Sequence, residues 1–316
     1  MELSRVGRSF ALPCIIQAPI GSLASVELVA AVSNAGGLGC LALTWTEARL
    51  AAGLVAAVRS KTPAPFAANF VLAFESRALP AALEAGVPVI TFSWGLPGAL
   101  VKSVHAYGAA VGVQVGTVEG AKRALDQGCD FIICQGIEAG GHVQSSTPLR
   151  ELLPRIVALA GEVPVVAAGG LADRADIAEV TSLGAQAAML GTRFVASTES
   201  HAHPEYKKSL LAAGVQDTAL TGCYDGGWPY ALHRVLRNAT LVNWEAAGCP
   251  PSGGRPGEGD VVARLKTGSP VHRYDDVPPS SDMSGDIMHC CLYAGMGVGK
   301  ITQLSSAAVL VKELLG

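Results

Sequence analysis

The sequence predicts an α/β chain folded as a (β/α)8 TIM barrel, with a loop-rich C-terminal insertion or cap and a terminal helix. Three observations lead there. Short apolar runs alternate with helical patterns eight times between Pro13 and Leu190. Runs such as VPVVAA and DFIIC are continuously apolar, as in parallel strands buried on both faces. Half of the 316 residues are hydrophobic and only 16% are charged, which suits one large core. Regular βα alternation also fits a doubly wound open sheet, but eight units favour closure into a barrel.

The first run, Pro13 to Ala18, precedes a helical pattern from Ser25 to Ala35, with Ser25 as N-cap and Gly36-Gly37 as the stop. The second, Gly37 to Leu43, precedes a helix near Thr46 to Ser60. The third, Pro65 to Phe70, precedes a helix from Glu75 to Ala85, closed by Gly86. The fourth, Val87 to Ser93, leads to a helix from Pro97 to Tyr107. The fifth, Ala109 to Val115, leads to one from Thr117 to Gln127, closed by Gly128. The sixth, Asp130 to Gln135, runs into a glycine-rich loop and a helix from Pro148 to Ala160. The seventh, Val163 to Ala168, precedes a helix from Asp173 to Leu183, closed by Gly184, and the eighth is Ala185 to Leu190.

After a helical stretch from Tyr206 to Gly214 the composition shifts. Residues 222–292 are rich in Gly, Pro, Ser and Asp and include PPSGGRPGEGD at 250–260. The expected division is a barrel over 1–221, a loop-rich cap or insertion over 222–292, and a C-terminal segment over 293–316. That last segment carries a helix from Ile301 to Leu315 packed back on the barrel.

Composition excludes several classes. A net charge of −3 without a basic cluster gives no footprint for nucleic acid. The eight cysteines lack C-x-x-C spacing, so a zinc site is not expected and the thiols read as reduced, buried apolar groups. Met1 to Phe10 lacks the apolar region of a signal peptide, and no apolar stretch has the roughly 20 residues of a membrane helix. The expectation is a soluble, cytoplasmic protein with a small-molecule substrate.

Barrel enzymes carry their active sites at the C-terminal ends of the strands. Gln17-Ala18-Pro19-Ile20, Asn69, Gln114, the stretch Gln135 to His142, Gly169-Gly170 and Gly191-Thr192 all fall there. Glycines after strands 7 and 8 let backbone N–H groups approach a phosphate, and the Thr192 hydroxyl adds a donor. The same glycines could simply turn the chain. The amides of Asn69 and Gln135 suit a heterocycle with alternating C=O and N–H edges, or loop-capping hydrogen bonds. His142, after Gly140-Gly141, is placed for proton abstraction. His201 and His203 lack a third metal ligand. GMGVGK at 295–300 lacks phosphate-loop spacing, no G-x-S-x-G is present, and Asp275-Asp276 reads as solvated surface.

The octapeptide Q-G-x-E-A-G-G-H at 135–142 resembles the signature loop of the nitronate monooxygenases, also called 2-nitropropane dioxygenases. Supporting matches are Q-A-P-I at 17–20, N-F at 69–70, A-A-G-G-L at 167–171, L-G-T-R-F at 190–194, R-V-L-R-N at 234–238 and Y-A-G-M-G at 293–297. The resemblance covers nearly the whole chain. It implies a barrel holding FMN, with no required metal. Asn69, Gln114, Gln135, Gly140, Gly141, Gly169, Gly170, Gly191 and Thr192 would contact the cofactor, and the backbone of Ala18, Pro19 and Ile20 would lie along its ring. His142 would take the α-proton of a nitroalkane or orient a nitronate, with O2 as co-substrate and a carbonyl compound and nitrite as products. The chain departs from many relatives at Met296, where they carry Gln, and at Gln114, where some carry Lys; both were expected near the cofactor pocket.

Two FMN-dependent reductases share this scaffold and remain open at this point, one acting on enoyl-acyl carrier protein and one on quinones with NAD(P)H. A barrel binding a phosphorylated ligand without flavin is a third alternative. Barrel enzymes often form homodimers, and nothing in the sequence fixes or excludes such an interface.

Overall fold

The architecture is taken from a computed structural model that describes residues 2–5 and 8–316, with side chains described from residue 11 onward. Eight parallel strands form the barrel: β1 Ile15–Gln17, β2 Cys40–Ala42, β3 Ala67–Val71, β4 Val89–Ser93, β5 Ala110–Val115, β6 Phe131–Gln135, β7 Val165–Ala168 and β8 Ala187–Leu190. Neighbours pair in chain order from β2 to β8, and β8 pairs with β1. The ring is completed where Ile16 bridges Leu38 in parallel, with Gln17 N donating to Leu38 O at 2.9 Å.

That seam is short, and a side chain extends it. Gln17 is fully buried; its Oε1 accepts from Cys40 N at 2.9 Å and its Nε2 donates to Cys40 O at 3.1 Å. The carboxamide thus reproduces the pairing that another strand residue would make. The sequence pattern set Gln17 among the polar residues at the mouth of the barrel, but the structure uses it in the wall.

Strand alternation divides the core in two. Phe131, Ile133, Val166 and Met189 fill the barrel interior, while Ile132, Cys134, Val165 and Ala188 face the helices. The interior requires a glycine in β5: a Cβ on Gly112 would lie 2.3 Å from the Phe131 ring.

Seven helices cover the outside in turn: α1 Val26–Asn34, α2 Ala48–Lys61, α3 Leu79–Glu84, α4 Leu100–Ala106, α5 Val118–Asp126, α6 Leu149–Ala160 and α7 Arg174–Ser182. Ser25 caps α1 by accepting from Leu28 N, and Asp173 and Asp176 form a reciprocal capping box on α7. The α3 helix begins later than its periodicity suggests, because Phe74 N and Leu79 N close turns onto Val71 O and Ser76 O.

After β8 comes only the single turn α8, Thr192–Val195. The chain then leaves through α9 Pro204–Ala212, strands β9 Thr218–Thr221 and β10 His233–Leu236, and α10 Ala239–Ala246. A second small sheet joins Val261–Arg264 to Pro270–His272 and Ser284–Gly285. The last helix, α11 Ala307–Leu315, packs between α1 and α7 and fills the eighth position of the outer ring. It starts at its Ser306 cap rather than at Ile301, because the preceding residues run extended, with Ser305 bridging Ser197.

The glycine- and proline-rich stretch 250–260 is fixed by charge. Glu258 accepts from Ser252 Oγ and from Gly253 N and Arg255 N. Arg255 makes a two-pronged ion pair with Asp225 at 2.6 and 2.7 Å and lies 5.2 Å from the Tyr274 ring centre. Six of the eight cysteines are buried, and all eight are free thiols.

Gln17→Leu keeps the volume but strands two buried Cys40 backbone groups. The expected loss is about 2–4 kcal/mol of unfolding free energy, read from denaturant titration. A loss below 0.5 kcal/mol would mean that the backbone bridge alone closes the seam.

Candidate active site

At the C-terminal mouth of the barrel lies a cavity of about 660 Å³. The residues expected to contact a cofactor, and His142, line it: Ala18, Pro19 and Ile20 after β1, Asn69 on β3, Gln114 on β5, Gln135 on β6, Gly140, Gly141 and His142 in the following loop, Gly169 and Gly170 after β7, and Gly191 and Thr192 after β8. Parallel strands of one barrel end on one face, so residues scattered over 175 positions of sequence meet there.

The polar residues of the wall are partly committed to holding it. Gln135 Nε2 donates to His142 O at 3.2 Å, and its Oε1 accepts from Gln144 N at 2.7 Å, so this carboxamide staples the two ends of the glycine loop. Gln114 Nε2 donates to Gln144 Oε1 at 2.6 Å. Asn69 Nδ2 donates to the backbone and hydroxyl oxygens of Thr91. Glu138 accepts from Leu149 N at the start of α6, where a carboxylate suits the free N–H groups of a helix end. Arg234 donates to Ile137 O from the opposite side. The loop is therefore clamped at three points.

The loop is also an edge strand. Gly141 and His142 pair antiparallel with Arg234 and His233 of β10, which pairs with β9. His142 thus belongs to a three-stranded sheet assembled from the barrel and the later segment. His233 beside it is fully buried, with Nε2 accepting from Tyr224 N at 3.1 Å and Nδ1 within 3.0 Å of Ala231 O. A backbone N–H on Nε2 leaves the proton on Nδ1, so His233 is neutral and fixed in one tautomer. Burial pushes the His142 imidazole down to about 3.

The phosphate-compatible end is made of backbone. Among the described residues, none accepts a hydrogen bond from the N–H groups of Gly170, Gly191 or Thr192. Thr192 Oγ1 accepts from Gly295 N at 2.9 Å, which leaves its own proton to donate. Gly295 and Gly297 line the same end of the cavity, so the 295–300 stretch contributes here although its spacing matches no phosphate loop. Lys300 points elsewhere, paired with Asp176 at 2.7 Å and with Asp173. Met296 lies between two lining residues, Gly295 and Gly297, and is not itself part of the lining.

The reading of Asp276 as solvated surface is also corrected. It lines the cavity, and burial, with Asp275 and Asp225 nearby, raises its carboxyl above the usual range. Asp275 instead accepts from His272 N at 2.6 Å. Burial decides between these adjacent residues, and charge in the sequence does not report it.

Aromatic residues form the part of the site that the sequence pattern missed. Trp45, Phe74, Trp94, Trp228 and Tyr293 all line the cavity. Trp228 lies 4.6 Å from His142 between ring centres and 4.5 Å from Trp94. An available signal was that aromatics are only 5% of the chain, yet three of its four tryptophans lie here. Among the described residues, no group of three or more His, Cys, Asp or Glu is arranged to hold a metal ion. His201 contacts Ser281 and Asp282, and His203 caps α9. No helix among the described residues is long and apolar enough to cross a membrane.

Comparison with known proteins agrees with this geometry. The family model described as nitronate monooxygenase matches residues 7–82 and 74–316. A nitronate monooxygenase of Pseudomonas aeruginosa is 31% identical over 96% of this chain and 96% of its own length. Among solved structures, nitroalkane oxidase from Streptomyces ansochromogenes superposes with a TM-score of 0.76 at 27% identity, covering 96% of this chain and 95% of that one. FabK from Thermotoga maritima superposes with a TM-score of 0.79 at 27% identity, covering 96% and 92%. The cavity, its glycine loop and these matches over almost the full length have one reading: the chain belongs to the nitronate monooxygenase family.

Proposed function

We propose that this protein is an FMN-dependent enzyme that oxidises nitronates, and nitroalkanes through their nitronates, with O2 to a carbonyl compound and nitrite. The observation that carries this reading is the neutral His142 imidazole in the wall of a cavity that ends in unpaired backbone amides.

The cavity fits FMN on its own features. Its volume lies within the 300–1,000 Å³ typical of cofactor sites. The free N–H groups of Gly170, Gly191 and Thr192 suit a phosphate. A Cβ on Gly141 would meet no atom within 4 Å, and one on Gly191 none nearer than 3.7 Å, so both glycines border open space. Among the described residues, the Asn69 and Gln114 side-chain oxygens accept no hydrogen bond, which leaves them for the N–H edge of a ring. Bound flavin supplies the one-electron oxidation that the side chains cannot.

The chain's own contribution is proton control and positioning. With its imidazole held near 3, His142 is unprotonated at neutral pH and can accept the α-proton of a nitroalkane. The imidazolium formed next to the new nitronate is an ion pair in a site of low dielectric, where the charges support each other. The fixed neutrality of His233 prevents competing charge. Trp228 and Tyr293, with ring centres 4.6 and 5.5 Å from His142, keep water from the imidazole.

Purified protein mixed with propyl-2-nitronate under air should take up oxygen and release nitrite. A yellow protein without uptake would favour an NAD(P)H-dependent reductase on the same scaffold, and a colourless one that cannot be reconstituted with FMN would sink the cofactor assignment. His142→Ala should retain FMN and lose turnover of neutral nitroalkanes by about 100-fold or more, with a much smaller loss on nitronates. Equal losses on both would remove the proton-transfer role.

The pH response follows from the lowered imidazole. Because His142 is unprotonated above about pH 4, kcat/KM for a neutral nitroalkane should show no acid limb from this group between pH 5 and 8. An inflection near 6.5 that vanishes in His142→Ala would contradict this. In stability the sign is opposite to that of a paired histidine. The unfolded chain takes up the proton at 6.5 and the folded one only near 3, so His142 withdraws stability as pH falls through that window.

Gly170→Ala should weaken FMN binding at least tenfold in ultrafiltration assays. Gly170 has a φ of +68°, and a Cβ there would lie 2.8 Å from Glu138 Cβ, so the loop must shift from the anion-binding end.

A further inference from the structure

One backbone conformation in the site is costly without an evident structural return. Trp94, just past β4, has a φ of +57°, a region that bulky residues rarely adopt. Glycine would relieve it, so the surrounding structure must impose it. The effect of this turn is to aim an indole at the cavity beside His142, at a ring-centre distance of 6.3 Å.

That indole belongs to a continuous aromatic surface. Trp94 meets Trp228 edge-on at 4.5 Å, Trp228 meets Phe74 at 5.1 Å, and Phe74 meets Trp45 at 5.2 Å. Trp45 is 63% exposed and Trp228 only 3%, so the surface runs from solvent inward to His142. Trp228 Nε1 is buried with no hydrogen-bond partner. A tryptophan kept there despite an unpaired donor is retained for its ring face.

We propose that this aromatic surface is a substrate-selecting slot, and that the preferred substrates carry a flat, unsaturated or aromatic group next to the nitro-bearing carbon chain. Rings pack on indole faces and edges with a preference that saturated groups of equal size do not share. The selection acts on the oxidation proposed above and rests on that reading.

The test compares nitronates of (2-nitroethyl)benzene and (2-nitroethyl)cyclohexane, which match in size and in distance from the reacting carbon, using the FMN-loaded protein. The expected kcat/KM ratio is about tenfold in favour of the phenyl compound. Trp94→Gly, which also relieves the backbone, and Trp228→Leu should bring the ratio close to one while FMN remains bound. Trp244→Phe, outside the cavity, should leave it unchanged. A wild-type ratio near one overturns the proposal. So does loss of FMN in both cavity variants, which would assign the surface to the cofactor. If no nitronate is turned over, the oxidation reading fails by itself. The slot is then judged from quenching of tryptophan fluorescence by 2-phenylethanol and 2-cyclohexylethanol, where equal affinity overturns it and about tenfold tighter phenyl binding sustains it.

Discussion

Three loops meet at the mouth of the barrel with backbone against backbone, and the site depends on that closeness. A Cβ on Gly140 would lie 2.4 Å from Gly295 N, and one on Gly297 would lie 2.4 Å from Gly170 O. Side chains at these positions would separate the loops after β6 and β7 from the stretch around Gly295 and Gly297. The free amides would then no longer share one end of the cavity. Chain flexibility does not satisfy this constraint by itself. The Gln135 carboxamide, the Glu138 carboxylate and the Arg234 guanidinium each hold the first loop from a different side, so the glycines close the gap while the polar side chains fix the position.

The same contact explains why the long excursion between α8 and α11 belongs to the site. Its β10 strand pairs with Gly141 and His142, its Trp228 packs on the imidazole, and its Gly295 donates to Thr192. Asn238, in the R-V-L-R-N stretch, joins its pieces by accepting from Tyr224 and donating to Cys290 O. Only after completing these contacts does the chain supply α11 to the outer ring. Barrel closure and site assembly are thus coupled: the eighth helix position is filled by residues that follow this excursion.

Electrostatically the site is quiet. Its imidazole is unprotonated, its neighbouring histidine is locked neutral, and Asp276 is pushed toward its neutral form. Charge that develops on a substrate therefore meets few fixed charges to compete with it. A low-dielectric wall of indoles and glycine backbone strengthens the interactions that remain.

The sequence by itself determined the barrel. Eight apolar runs with glycine stops carry the period of buried parallel strands, and local physics sets that period. It also located the residues after each strand, because one topology sends all strand ends to one face. The family resemblance rested on the octapeptide and on shorter matches spread along the chain; two clamps of that loop, Gln135 and Glu138, lie within the octapeptide, while Arg234 reaches it from far along the chain. Tertiary structure alone decided that Gln17 serves the seam and not the mouth, and that Asp276 lines the cavity while Asp275 caps a turn. It alone brought Trp45, Phe74, Trp94 and Trp228 into one surface. Those outcomes depend on burial and on contacts between different elements of the fold, such as Gln17 with Cys40 and Trp94 with Trp228, and neither periodicity nor spacing along a chain carries that information.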